Sequence, residues 1–398
     1  MNQPFSILLL AILFTITSCV KEPHQPTPVL SHTLLVYVGT DNNLSGYEQE
    51  KLQAIRDGWS GKSTDKVIVY IDKGRGADAR LIEISNLLPT DAPREIAAYG
   101  EENSASAEVF SRVVRDVKSM YPADSYGLLV FSHASGWLPS GALTNPGKVS
   151  PETTSESFVV ELEIVPDSII IDGTDEMEIC DFASSIPDGM FDYIVFEGCF
   201  MAGIEVAYEL RHKTPVIFAS SAEIVHPGFA PVYPTSTTNL LNSDIQGFAE
   251  QVFDNIQSYS ESDPQRSATY SVIHTSGLEA LAVFIRDNCD FTQTVNISDI
   301  QHFDRLNGYR LFFDFEDYYG KLLQTNEQRE ELFRLLSVCV VWKASTTAFL
   351  TQLSGYNGFK INKHSGMTTY IPQDRFPGLN SRYSELLWSE SVFINIQK

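Results

Sequence analysis

Gly127-Leu128-Leu129-Val130-Phe131-Ser132-His133 and Tyr193-Ile194-Val195-Phe196-Glu197-Gly198-Cys199 are two short apolar runs that each end on a potentially reactive side chain. Continuous Val/Ile/Leu/Phe runs of this length suit strands buried on both faces, which occur in parallel sheets covered by helices on each side. Similar runs recur at Leu34 to Val38, Lys66 to Ile71, Arg80 to Ile84, Val216 to Ala219 and Tyr270 to His274. They alternate with stretches of helical period at Tyr47 to Gly58, Ala105 to Met120, Asp175 to Ser184, Met201 to Arg211 and Asp244 to Tyr259. The alternation predicts an α/β fold with a mostly parallel sheet flanked by helices. In such sheets, sites form beyond the carboxyl ends of strands, which is where His133 and Cys199 stand.

The interval from Pro139 to Pro166 is rich in Ser, Thr, Pro and Glu and is expected to be an exposed insertion, with a short hairpin at Ser157 to Ile164. Beyond about residue 296 the pattern changes to Tyr309 to Leu323 and Glu327 to Thr351, both of helical period, followed by a strand-like Met367 to Ile371. A sheet domain over 34–295 and a mainly helical C-terminal subdomain over 296–398 are therefore expected.

A thiol is a good nucleophile only as thiolate, a form favoured by a neighbouring imidazole and by the positive end of a helix. With a helix expected to open near Met201, Cys199 would lie close to unsatisfied backbone N–H groups, and His133 would accept its proton if the two strands are neighbours. The N–H groups of Ala134 and Cys199 could then stabilise an oxyanion. Alone, a His after a strand or a Cys among apolar residues is more often structural than catalytic.

The pair gains weight from resemblance. Tyr126 to Trp137, with His133, and Phe191 to Arg211, centred on Cys199, resemble the clostripain family of cysteine peptidases. Further matches are Tyr37-Val38-Gly39-Thr40-Asp41-Asn42-Asn43-Leu44, Ser221-Ala222-Glu223-Ile224, and Ser365-Gly366-Met367-Thr368-Thr369-Tyr370-Ile371-Pro372. The resemblance implies a caspase-like fold and a dyad of His133 as general base and acid with Cys199 as nucleophile, cleaving after Arg or Lys through a thioester. It also implies that the carboxylate two residues before the Cys, here Glu197, faces the substrate's basic side chain. The chain departs from the family in two places: Ala134 follows the His where Gly is usual, and Gly198 precedes the Cys where Ala or Ser is common. A requirement for positive φ after the His would be incompatible with Ala134. The competing expectation is a non-catalytic caspase-like surface lipoprotein that binds protein or peptide. Members of the family often cut themselves between the two catalytic residues, and Lys148 is the only basic residue between Trp137 and Cys199.

The 28 Lys and Arg against 51 Asp and Glu give a net charge of −23, the wrong sign for a nucleic-acid groove. No C-x-x-C, H-x-x-x-H or H-E-x-x-H occurs, so no metal site is expected. Calcium dependence occurs in the family, yet no acidic stretch here has the spacing of a calcium loop, and no cofactor is expected. Ser6 to Ser18 suits a signal-peptide core and is too short to span a bilayer. It ends in Ile16-Thr17-Ser18-Cys19, which resembles a bacterial lipoprotein box. The expectation is a signal peptide over 1–18, a lipid on Cys19, a Pro-rich tether over 19–33 and a location at the cell envelope. Of the other cysteines, Cys289 and Cys339 sit in helix-like apolar contexts and are expected to be free thiols.

Overall fold

In a computed structural model, the described residues are 30–394, apart from 41, 43, 60, 61, 63, 74, 75, 85–92, 151–170, 173, 174, 306–308 and 352–357. The expected signal peptide, Cys19, most of the tether and the hairpin at Ser157 to Ile164 lie outside them.

Nine strands form one sheet: β1 (His32–Gly39), β2 (Lys66–Asp72), β3 (Ala79–Glu83), β4 (Arg94–Gly100), β5 (Ser125–Phe131), β6 (Tyr193–Glu197), β7 (Val216–Ser220), β8 (Thr269–His274) and β9 (Val340–Ser345). Their order is β9-β8-β7-β6-β5-β1-β2-β3-β4. The central strands β7, β6, β5, β1 and β2 run parallel, and antiparallel pairs extend the sheet at both edges.

Both faces are covered, as the apolar runs require. Along β1, Leu34, Val36 and Val38 enter one core, while Leu35 and Tyr37 enter the other, the alternation a pleated strand imposes. The first core is closed by α1 (Tyr47–Asp57) together with helices Tyr233–Leu241 and Ile245–Ser258. The second is closed by α2 (Ala107–Met120), α3 (Ile179–Ser184), α4 (Ile204–Glu209), helix Leu278–Asn288 and the C-terminal helices. In α2 the residues Phe110, Val113, Val114 and Val117 are buried, a stripe spaced at three and four that turns one side of the helix to the sheet.

The C-terminal region does not have a core of its own. Helix Asn326–Cys339 ends where the sequence expectation carried it on to Thr351, and the chain continues as β9, pairing antiparallel with β8. Val340 and Val341 are β-branched and suit this edge strand. Phe312, Phe315, Tyr319, Leu336, Tyr370 and Trp388 belong to the same apolar cluster as α2 and α4. A boundary near residue 296 therefore runs through one continuous core.

Candidate active site

The parallel register of β5 and β6 pairs Phe131 with Glu197. Two residues further on, at equal height above the sheet, stand His133 and Cys199, both half-buried. Adjacent strands are only about 4.8 Å apart, so the loops that carry the two residues start side by side.

The departures from the family pattern fit one another sterically. A Cβ at Gly198 would stand 2.8 Å from the Ala134 Cβ and 3.2 Å from the Ser132 carbonyl oxygen. The methyl group that other members carry before the Cys is here carried after the His, in the same space. Position 134 is not among the left-handed residues, so Ala134 is compatible with its backbone. The left-handed glycine of this loop is Gly136, at φ 68°, where a Cβ would meet the Phe200 carbonyl oxygen at 2.8 Å. We expect Gly198→Ala to destabilise the protein by about 1–3 kcal/mol, as overpacking does, and Ala134→Gly added to it to restore most of the loss. Denaturant unfolding of the two single variants and the double variant measures this coupling.

Cys199 is not at a helix start. The chain turns through Phe200 to Gly203 before α4 begins at Ile204, which removes the helix-dipole argument for the thiol. Instead the Ile224 N–H donates to Cys199 Sγ at 3.4 Å. The turn is held by Phe200, a non-glycine residue at φ 61°, whose N–H donates to Ala222 O at 3.0 Å. The Phe200 ring stacks on Phe312 at 4.2 Å between centroids. Such a backbone costs roughly 1–3 kcal/mol and persists because its surroundings over-determine it.

Burial pushes the Cys199 thiol up from its ordinary value, while the Ile224 N–H and the Arg305 charge pull it down. Burial also lowers the His133 imidazole to about 4. Both shifts favour the uncharged form of each group.

Glu197, which the family resemblance assigns to the substrate's basic side chain, has several partners within the protein. Its carboxylate is only 4% exposed and ion-pairs with Lys51. It also accepts the Phe229 N–H at 2.7 Å and the Tyr233 hydroxyl at 2.6 Å. Lys51 in turn donates to Pro227 O at 3.2 Å and lies 4.3 Å from the Phe131 ring centroid. The charge is thus engaged inside the protein, pinning the turn before Phe229. The residue before Ile224 is Glu223, which ion-pairs with Arg305. Sequence reasoning marked Ser221 to Ile224 only as a family match, and no local signal ties Arg305 to it.

Lys148 is exposed at the end of a 3-10 turn, Pro146–Lys148. The next residue packs against helix Pro377–Ser384, where a Cβ at Gly378 would meet Val149 O at 1.8 Å. Cys180, Cys199, Cys289 and Cys339 are free. Among the described residues, no group of three or more His, Cys, Asp or Glu could hold a metal ion.

A covered, centrally parallel sheet with His and Cys at adjoining strand ends defines the caspase-like class of cysteine-peptidase folds. Within that class the chain belongs to the clostripain family, whose sequence profile matches residues 36–365. Among solved structures it is similar to an inactive zymogen of a C11 protease from Parabacteroides distasonis, at 29% identity, with 92% of this chain and 99% of that chain covered and a TM-score of 0.77. It is also similar to a secreted C11 cysteine protease from Bacteroides thetaiotaomicron in complex with an irreversible peptide inhibitor, at 26% identity, 92% and 99% coverage and a TM-score of 0.76. Clostripain from Hathewaya histolytica is 24% identical over 226 residues, which is 50% of this chain and 40% of that relative.

Proposed function

We propose that the chain is a cysteine endopeptidase that cleaves proteins or peptides after Arg or Lys. The observation that carries the reading is the β5–β6 register, which starts the loops carrying His133 and Cys199 side by side. Cys199 Sγ attacks the scissile carbonyl as its proton passes to His133. The oxyanion is held by the N–H groups of Ala134 and Cys199, and the C–N bond then breaks as the leaving amine takes the proton from His133. Water, deprotonated by His133, attacks the thioester, the C–S bond breaks and the thiol is restored. Basic specificity is supported by the family, by the excess of acidic residues and by Glu223 next to the Ile224 that contacts the sulfur. Labelling with a peptidyl-Arg chloromethyl ketone tests the reading. Wild type should be modified at Cys199, Cys199→Ala should not, and a labelled Cys199→Ala protein would end the proposal.

Self-cleavage after Lys148 and lipid anchoring at Cys19 belong to the same reading. The exposure of Lys148 supports the first, although the Val149 packing must release before the bond can enter a site. Mass spectrometry is expected to find a new N-terminus at Val149 that is absent in Cys199→Ala and in Lys148→Ala. Among the described residues no helix is long and apolar enough to cross a membrane. Anchoring is supported by the resemblance of Ile16 to Cys19 to a lipoprotein box, and Cys19→Ser is expected to move the protein from the membrane to the soluble fraction on ultracentrifugation.

A further inference from the structure

Three successive parallel strands deliver the site: β5 leads into His133, β6 into Cys199, and β7 into Ser221 to Ile224. The last of these touches the nucleophile through the Ile224 N–H. The preceding residue, Glu223, carries an acid whose side chain is 15% exposed. An acid placed one residue from a sulfur contact is well sited to hold a basic side chain while the adjoining carbonyl is attacked.

That acid is already occupied. The Arg305 guanidinium ion-pairs with Glu223, donates from Nη1 to Thr351 Oγ1 at 2.8 Å and lies 5.3 Å from the Phe349 ring centroid. Arg305 itself is 8% exposed. The residue before it, Asp304, is tied to Leu311 and Phe312. The buried carboxylate of Asp304 accepts the N–H groups of Leu311 at 3.0 Å and Phe312 at 3.1 Å, and Phe312 stacks under Phe200, the residue after the nucleophile. The arginine therefore arrives from the C-terminal part of the chain and meets Glu223.

We propose that Glu223 is the residue that receives the substrate's basic side chain, and that Arg305 is an internal competitor which occupies it until a substrate Arg or Lys takes its place. The inference rests on the peptidase reading above. The exchange is chemically even-handed: one cation leaves Glu223 and another arrives, so the acid is never left unpaired in a mostly buried position. The positive charge that draws the Cys199 thiol downward is likewise replaced rather than lost. The cost falls on affinity, because a site open for only a tenth of the time binds about tenfold more weakly. Neutral side chains, which do not displace a guanidinium from a carboxylate, are selected against by the same contact.

The test compares peptides with Arg, Lys or Gln before the scissile bond. Arg305→Met keeps the apolar stem against Phe349 and removes the charge. It is expected to lower KM for Arg and Lys peptides by about tenfold and to raise their preference over Gln peptides by a similar factor. Glu223→Gln is expected to collapse that preference, and adding Arg305→Met to it should change little further, because Arg305 acts only through Glu223. Should Arg305→Met fold poorly by circular dichroism, Arg305→Lys, which retains the charge but not the planar fork, is expected to fall between it and wild type. A higher KM for basic peptides in the Arg305 variants, or an equal change for Arg and Gln peptides, would make Arg305 a strut of the Ser221 to Ile224 turn and overturn the inference. Wild type that cleaves Arg peptides with the same KM as Arg305→Met overturns this inference alone. Wild type that cleaves none of the peptides and resists labelling at Cys199 overturns the peptidase reading together with it.

Discussion

Cys199→Ala and His133→Ala are each expected to lower peptide hydrolysis at least about a thousandfold, and the double variant to lose little more than either alone. The reason lies in the charge state of the pair. Burial raises the thiol and lowers the imidazole from their ordinary values, so thiolate formation relies on His133 to accept the proton. An isolated His133 likewise has no nucleophile to activate. The acid limb of the kcat/KM profile is expected near pH 4, where a neutral imidazole begins to take up a proton, and activity should fall below it. Progress curves on an Arg peptide over pH 3–8 measure both effects. Additive losses in the double variant would mean that the two residues act in separate steps.

Lys51→Met is expected to destabilise the protein by about 3–5 kcal/mol, the usual result of leaving one member of a buried ion pair uncompensated. Lys51 and Glu197 are both nearly enclosed, with side-chain exposures of 9% and 2%. The Glu197 carboxylate would keep the Phe229 N–H and the Tyr233 hydroxyl but lose its counter-charge. Glu197→Gln strands the ammonium in the same way, and Lys51→Met/Glu197→Gln should recover much of the stability. Guanidinium unfolding of the three variants provides the double-mutant cycle. The preference of folded Glu197→Gln for Arg over Gln peptides is expected to survive, which separates an internal brace from a substrate contact.

The strands that carry the site were readable because β1, β2 and β5 to β8 are apolar runs with both faces covered, and that double burial is itself the sequence signal. The edges were not readable for the same reason. In β4, Arg94, Glu95 and Ala98 face solvent, so the segment lacks both the continuous run and a clean alternation. β9 follows directly on a helix within one apolar stretch, where periodicity does not distinguish the two states. His133 and Cys199 could be found because each follows a recognisable strand, and family resemblance joined them. The pairing of Glu197 with Lys51 was not readable because Lys51 lies 146 residues away, and nothing local separates an acid that faces substrate from one that faces an internal lysine. Arg305 and Glu223 stayed hidden for the same physical reason, a charge pairing made only by tertiary structure. The exchange between Ala134 and Gly198 was visible as two unrelated oddities, and only the register showed that they share one space.

The turn that carries the nucleophile is finished by residues far downstream of it. Phe200 leans on Phe312, and Ala202 O accepts the Thr368 N–H at 2.9 Å. A chain emerging from the ribosome, or threading through a secretion channel from its N-terminus, exposes Cys199 long before Thr368 has been delivered. During that interval the strained backbone at Phe200 lacks the supports that hold it, because contacts of such sequence separation close late. The order in which the polypeptide is made therefore keeps the nucleophile unassembled until its downstream supports have been delivered, and a nascent chain is spared from attacking itself.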